Sequence, residues 1–201
     1  MATVGLVAAA CESSELPPMA CAKPADAEAL AARPSPFDSA MTTVAGTDLK
    51  LCYSRPSTRG RLVFGGLVPY DTLWRTGANE PTILHLSGPA TIAGLQVEEG
   101  DYSVYTVPSP GQWTVVVNAS TSQWGLTRDE VGAQGNQFFN AYTEEVRAQE
   151  VGRAPIETTT TDFTEQLTAS FGLVDGADVE LYFDWAATRV VVPVRVGVGD
   201  R

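Results

Sequence analysis

Strict alternation of apolar and polar residues through the C-terminal half is the feature that most narrows what this chain can fold into. In Phe163–Phe171, Phe163, Glu165, Leu167, Ala169 and Phe171 point one way, and Thr164, Gln166, Thr168 and Ser170 point the other. In Val179–Trp185 the inward set is Val179, Leu181, Phe183 and Trp185, with Glu180 and Asp184 outside. Arg189–Val196 carries four valines at even positions. A period of two belongs to a β-strand with one buried face. Asp175-Gly-Ala-Asp178 is the expected turn between the first two of these segments.

The pattern recurs upstream. Ala40–Ala45 and Leu49–Ser54, parted by Gly46-Thr-Asp48, read as a hairpin. Arg61–Phe64, Thr82–Ser87, Ala90–Ile92 and Leu95–Val97 are further short strands. Asp101–Val107 and Gln112–Asn118 flank the turn Pro108-Ser-Pro-Gly111, with Trp113, Val115 and Val117 on one face. Helical spacing occurs once, between about Gln137 and Glu150, where Phe138, Tyr142 and Val146 recur at i+4 with Glu144, Glu145 and Arg147 outside. About nine or ten antiparallel strands with one short helix predict an all-β fold, a β-sandwich or closed β-barrel over residues 38–197, because so large a sheet must bury a face or close.

The residues before this domain have another character. Met1 to Ala10 is small and apolar and is followed at once by Cys11, which resembles a lipoprotein signal without its basic start, so 1–11 are expected to be a signal remnant with Cys11 the lipidation site. Ala20-Cys-Ala22 offers a second small-residue cleavage site. Residues 12–37 are rich in Ala, Pro and Ser and cannot form a core, so they are expected to be an extended arm or linker that prolines keep from closing into a helix. Leu16, Met19, Leu30 and Phe37 give that arm enough apolar surface to anchor on another copy, and β-strand addition predicts a homo-oligomer or homopolymer. The alternative is a tether that holds a monomer away from a membrane.

Thirteen basic against 24 acidic residues give a net charge of −11, which excludes a nucleic-acid or anionic-membrane binder built on a basic face. No stretch is long enough to span a bilayer as a helix. Acidity suits an extracytoplasmic protein in the periplasm, on the outer surface or secreted, and leaves room for calcium. Glu98, Glu99 and Asp101 cluster beside Gly100, and Asp175 and Asp178 share a turn, so these five are the candidate ligands. Cys52, inside the apolar run Leu49 to Tyr53, reads as a buried small hydrophobe, while an oxidising compartment also permits Cys21 to bridge to Cys52 or to a neighbouring chain.

Chemistry is thinly represented. His85, the only histidine, lies mid-strand and reads as a packed or surface residue rather than as part of a Ser-His-Asp triad or a zinc site. No nucleophile elbow, Cys-x-x-Cys pair or phosphate loop is present, so no catalytic residue is assigned. Glu165 falls in an apolar row where an unpaired carboxylate is costly, so it is expected to pair with Arg61 or Arg75. Arg55, Arg61, Trp74, Arg75, Asn79 and Glu165 then form a structural cluster or, alternatively, a small-molecule or unconventional catalytic site.

Gly60 to Thr82 packs four glycines, two prolines, a Trp and two arginines into one segment, a loop packed onto the domain as a brace or a functional surface. Together with Tyr53-Ser-Arg-Pro56, its Gly60-Arg61, Phe64-Gly65 and Leu73-Trp-Arg-Thr-Gly-Ala-Asn79 resemble the DUF2911 family, as do Gly100-Asp-Tyr-Ser-Val-Tyr-Thr-Val-Pro108, Trp113 and Trp124-Gly125. The resemblance runs from about Ser39 to Pro193 and implies an exported bacterial β domain without assigned catalytic residues. Phe138–Glu150 is longer than in simpler members of that family. The expected function is therefore a non-catalytic extracytoplasmic module that self-assembles through its arm, with calcium as a stabiliser and no organic cofactor.

Overall fold

The computed structural model describes residues 20–21, 27–122 and 142–197. Along the chain run α1 (Ala27–Ala31), β1 (Phe37–Val44), β2 (Thr47–Ser54), β3 (Ile83–Leu86), β4 (Ala90–Ile92), β5 (Leu95–Val97), β6 (Gly100–Val107), β7 (Trp113–Asn118), α2 (Glu144–Arg147), β8 (Glu150–Asp175) and β9 (Asp178–Val196). All strand pairs are antiparallel, in the order β1-β2-β3-β6-β7-β8-β9-β4-β5. The fold is the all-β one that alternation predicts.

Two tight hairpins fix register. Val44 pairs with Thr47, which leaves Ala45 and Gly46 as a two-residue loop with φ of 47° and 81°. Ala93 and Gly94 repeat this between β4 and β5, at 48° and 87°. Positive φ at both central positions matches the right-handed twist of the flanking strands.

β8 organises the rest. Its first residues pair with β7 and its remainder with β9, whose end pairs with β4. Register shifts between Thr160 and Thr168 let the β8–β9 ribbon bend, so that β9 lies over the first five strands of the order. The core between them takes Leu49, Leu51 and Tyr53 of β2, Leu84 and Leu86 of β3, Val115 and Val117 of β7, and Val179, Leu181, Phe183, Trp185 and the four even-numbered valines of β9. Each such side chain contributes roughly 1.5–3 kcal/mol when fully buried. Past β2, Thr58 N donates to Glu165 O and Leu167 N to Pro56 O, both at 2.9 Å, which lashes the chain to β8 while the sheet stays open at β1 and β5.

Several expectations need correction. Phe163–Phe171, Val179–Trp185 and Arg189–Val196 are not three strands but parts of two long ones. Phe163 is 66% exposed and Glu165 is exposed, because alternation fixes which way a side chain points and not whether anything lies over it. Arg61–Phe64 is no strand: Leu67 N and Val68 N fold back on the carbonyls of Leu62 and Val63, which curls the segment and turns Val63, Phe64 and Val68 inward. Within 137–150 the described helix is a single turn, Glu144–Arg147, and Glu150 already opens β8. The Thr143 hydroxyl caps that turn by accepting from Val146 N. The proline-bearing arm does hold a helix, α1, since Ala27-Glu-Ala-Leu-Ala31 itself contains no proline. Residues 1–19 with Cys11, Phe138 and Trp124-Gly125 lie outside the described residues. Among the described residues no helix is long and apolar enough to cross a membrane.

Candidate functional site

The glycine-rich loop is a brace that plugs one end of the core. Trp74 exchanges two 2.8 Å backbone hydrogen bonds with Thr106 of β6, which carries its ring into the interior. The ring stacks on Trp185 at 5.6 Å, and Phe64 meets Trp74, Trp113 and Trp185 edge-on at 4.7–5.9 Å. Trp74 Nε1 donates to Gly77 O at 3.0 Å, so its one polar atom is satisfied.

Behind Trp74 the backbone is strained. Thr76 and Asn79 have φ of 53° and 57°, the left-handed region that a β-branched residue strongly disfavours. Thr76 is fully buried, its hydroxyl 3.1 Å from that of Thr106, and its carbonyl accepts from the Thr82 hydroxyl at 3.0 Å. Gly77 sits where a Cβ would lie 2.7 Å from Thr82 Oγ1 and 3.2 Å from Ser54 O. Strain of this sort persists only where the surroundings impose it, as the packing of Trp74 and the bonds of Thr76 do here.

That shape presents Glu80. Its side chain is 6% exposed, accepts from the Ser54 hydroxyl at 2.8 Å and pairs with Arg33 from the N-terminal segment. Asn79 Nδ2 donates to Ser35 O at 3.2 Å, Arg59 Nη2 to Pro34 O at 3.4 Å, and Arg55 N to Pro36 O at 2.8 Å. Leu30 is buried, and Cys21 is disulfide-bonded to Cys52 of β2. Residues 20–36, where described, thus form a strap gripped by the loop. Arg75 donates to Asn79 O at 2.8 Å beside Glu80; burial pulls its pKa down, and Glu80 and Tyr105 pull it up.

The expected cluster is only partly assembled. Arg75 and Asn79 meet as described, and Trp74 is buried beneath them. Arg55 instead reaches Leu167 O, the Thr168 hydroxyl and Asp38, and Arg61 caps the carbonyls of Ser57 and Thr58. Glu165 pairs with neither Arg61 nor Arg75. It accepts from the Thr58 hydroxyl and from Arg59 N at 2.9 Å, which lower its pKa, and it needs no buried cation because it is not buried. The buried carboxylate is Glu80, one residue beyond the expected cluster. A groove of about 420 Å³ lies elsewhere, lined by Thr91, Val174, Asp178, Glu180, Pro193 and Arg195 among others, and no residue of the cluster borders it.

The acidic turns do not converge. Asp101 Oδ1 lies 2.6 Å from His85 Nδ1, and both oxygens of Asp178 accept from Arg195 at 2.6 Å. Glu98, Glu99 and Asp175 join them in no set of three ligand atoms among the described residues; the set found is Cys21, Cys52 and His85. Cys52 is not merely a buried hydrophobe, and Cys21 bonds within its own chain. Composition hides this grouping, and strand register reveals it. Cys52 and Ile83 are paired, His85 lies two residues on along the same face, and Asp101 is directly opposite His85.

No curated protein and no solved structure matches the chain. A family model described as "Protein of unknown function (DUF2911)" matches residues 35–194, which take in the loop, Glu80, His85, Asp101 and all of the sheet but the last two residues of β9, and begin after Arg33 and Cys21. On a match over that share of its length, the chain belongs to the DUF2911 family.

Proposed function

We propose that this chain is a non-catalytic extracytoplasmic module that works by interaction, and that its N-terminal strap is the element exchanged between copies. The observation that carries this reading is the grip on the strap: Arg33, Pro34, Ser35 and Pro36 are held by Glu80, Asn79, Arg59 and Arg55, with Cys21 clipped to Cys52. Those docking groups lie on β2, the braced loop and the link between them, and they accept the same segment whichever copy supplies it. Pro34 and Pro36 stiffen the junction into β1, so a strap released from its own domain reaches outward. Exchange re-forms the same ion pair, hydrogen bonds and disulfide between copies, and head-to-tail exchange that does not close propagates into a fibre.

Two further observations support the reading. Arg55 and Arg61, two of the arginines that a small-molecule or catalytic site needs, are committed to backbone carbonyls. A disulfide between strap and sheet suits an oxidising compartment outside the cytoplasm.

The test is a non-reducing denaturing gel of the intact chain carrying Cys11→Ser, concentrated under oxidising conditions. Strap exchange gives a ladder of Cys21–Cys52-linked multimers that collapses to one band on reduction. A single monomer band at every concentration makes the strap an intramolecular tether and ends the assembly reading.

A further inference from the structure

A ring nitrogen of His85 and the sulfurs of Cys21 and Cys52 lie within 4.8 Å of one another. His85 is 5% exposed, and its Nδ1 is taken by Asp101 at 2.6 Å. Its Nε2 is buried and finds no hydrogen-bond partner among the described residues. An imidazole oriented by a carboxylate through one nitrogen, with the other left bare and two sulfurs close by, is the arrangement of a metal-ligating histidine with its supporting acid. An orphaned buried nitrogen is costly, and a disulfide, which has no hydrogen to donate to it, does nothing to offset that cost.

We propose that reduction of Cys21–Cys52 opens a site for a soft d10 cation, Zn(II) or Cu(I), with Cys21 Sγ, Cys52 Sγ and His85 Nε2 as ligands and Asp101 holding the ring. A dithiol is the reductant. It forms a mixed disulfide with one cysteine, its second thiol closes the ring, and it leaves as a cyclic disulfide, having delivered two electrons and two protons to the cysteine pair. Metal binding then releases the thiol protons to solvent as the two thiolates form. Ligand atoms around one such ion stand roughly 3.3–3.8 Å apart, so once the S–S bond is broken the two sulfurs move apart and the imidazole nitrogen closes on them. Two thiolates and one imidazole select a soft or borderline cation over calcium or magnesium. Three protein ligands satisfy Cu(I), and they leave zinc an open fourth position. Cys21 is partly exposed, which gives the reductant its approach. The redox state of the strap would thereby set whether the domain carries metal.

The full chain with Cys11→Ser is reduced with dithiothreitol, freed of it by anaerobic desalting, and checked for its β-sheet circular dichroism. It is then titrated separately with Zn(II), with Cu(I), and with Co(II) as the optical reporter. The folded, reduced chain takes up one equivalent of Zn(II) or Cu(I) and shows a thiolate-to-cobalt charge-transfer band; the oxidised chain does neither. His85→Gln weakens binding at least tenfold, and Asp101→Asn weakens it by about 10–100-fold while keeping all three ligands. The comparison of oxidised and reduced forms uses the Cys11→Ser parent alone, so a His85 or Asp101 variant that fails to fold leaves the test intact. A reduced chain that unfolds, that binds neither ion, or that binds equally well after its thiols are alkylated overturns the proposal.

Discussion

Arg33 and Glu80 stand 47 residues apart in sequence and form the ion pair that joins the N-terminal strap to the braced loop. The Glu80 end of the pair is buried and the Arg33 end partly so. Removing the cation leaves a carboxylate in the interior with Ser54 and nearby Arg75 to compensate in part. Arg33→Ala is therefore expected to cost about 2–3 kcal/mol, somewhat below what breaking a fully buried pair costs because Arg33 is partly exposed. In thermal denaturation that is a fall of roughly 5–10 °C. Glu165→Gln, at an exposed position, is expected to move the midpoint by no more than about a degree or two. Equal effects of the two substitutions would mean that Glu80 is not the buried acid that matters.

The strained turn behind Trp74 has no room for a side chain at Gly77. Gly77→Ala must push Thr82 or the Ser54 carbonyl aside, which is expected to cost about 1–3 kcal/mol in urea unfolding. Gly111, which has open space around its missing Cβ and no positive φ, is the control, and Gly111→Ala should leave the midpoint unchanged.

Tyr105 lies under α2, packed edge-on against Tyr142 at 5.1 Å. Burial pushes its phenol up to about 12, and Ser103 and Arg75 pull the other way. A folded-state pKa above the unfolded value favours the protonated phenol in the native state. That contribution is complete below pH ~10 and is lost as pH rises from ~10 toward 12. Alkaline unfolding should thus set in over that window. Tyr105→Phe is expected to shift it to higher pH in a circular-dichroism titration, and an unchanged alkaline midpoint would remove Tyr105 as its cause.

Cys21 and Cys52 close a loop with a sequence separation of 31. Chain-entropy arguments for a loop of that length give about 3–4 kcal/mol. Reduction at neutral pH, with metal absent, is expected to lower the unfolding free energy in urea by about that amount and to steepen the slope, because the denatured chain without its cross-link exposes more surface. A midpoint insensitive to reduction would show that the strap adds nothing to the stability of the domain.

Much of the sheet was legible in the sequence because its signals are local. Ala90–Ile92 and Leu95–Val97 are strands with the bounds expected, and Val179, Leu181, Phe183 and Trp185 face the core as their period requires. Phe163 and Glu165 show the limit of that logic: their period is right, but the core ends before them. The Cys21–Cys52 bridge was one of the pairings the sequence allowed, but the Arg33–Glu80 pair and the place of His85 beside that bridge were not legible, since each depends on segments brought together from far apart in the chain. Glu80 follows the Trp-Arg-Thr-Gly-Ala-Asn motif directly, and nothing in its neighbours marks it as buried. His85 looks solitary until the register of β2, β3 and β6 places Cys52 and Asp101 beside it.

Sedimentation velocity on the intact oxidised chain carrying Cys11→Ser, compared with a chain truncated to begin at Phe37 and carrying Cys52→Ser, tests the central claim most directly. Truncation removes Arg33 and Cys21 with the strap and leaves every strand in place. If the strap joins copies, the parent sediments as species that grow with concentration, and the truncated chain stays monomeric. A parent that remains a single monomeric boundary at the highest concentration, or a truncated chain that assembles equally well, contradicts the account.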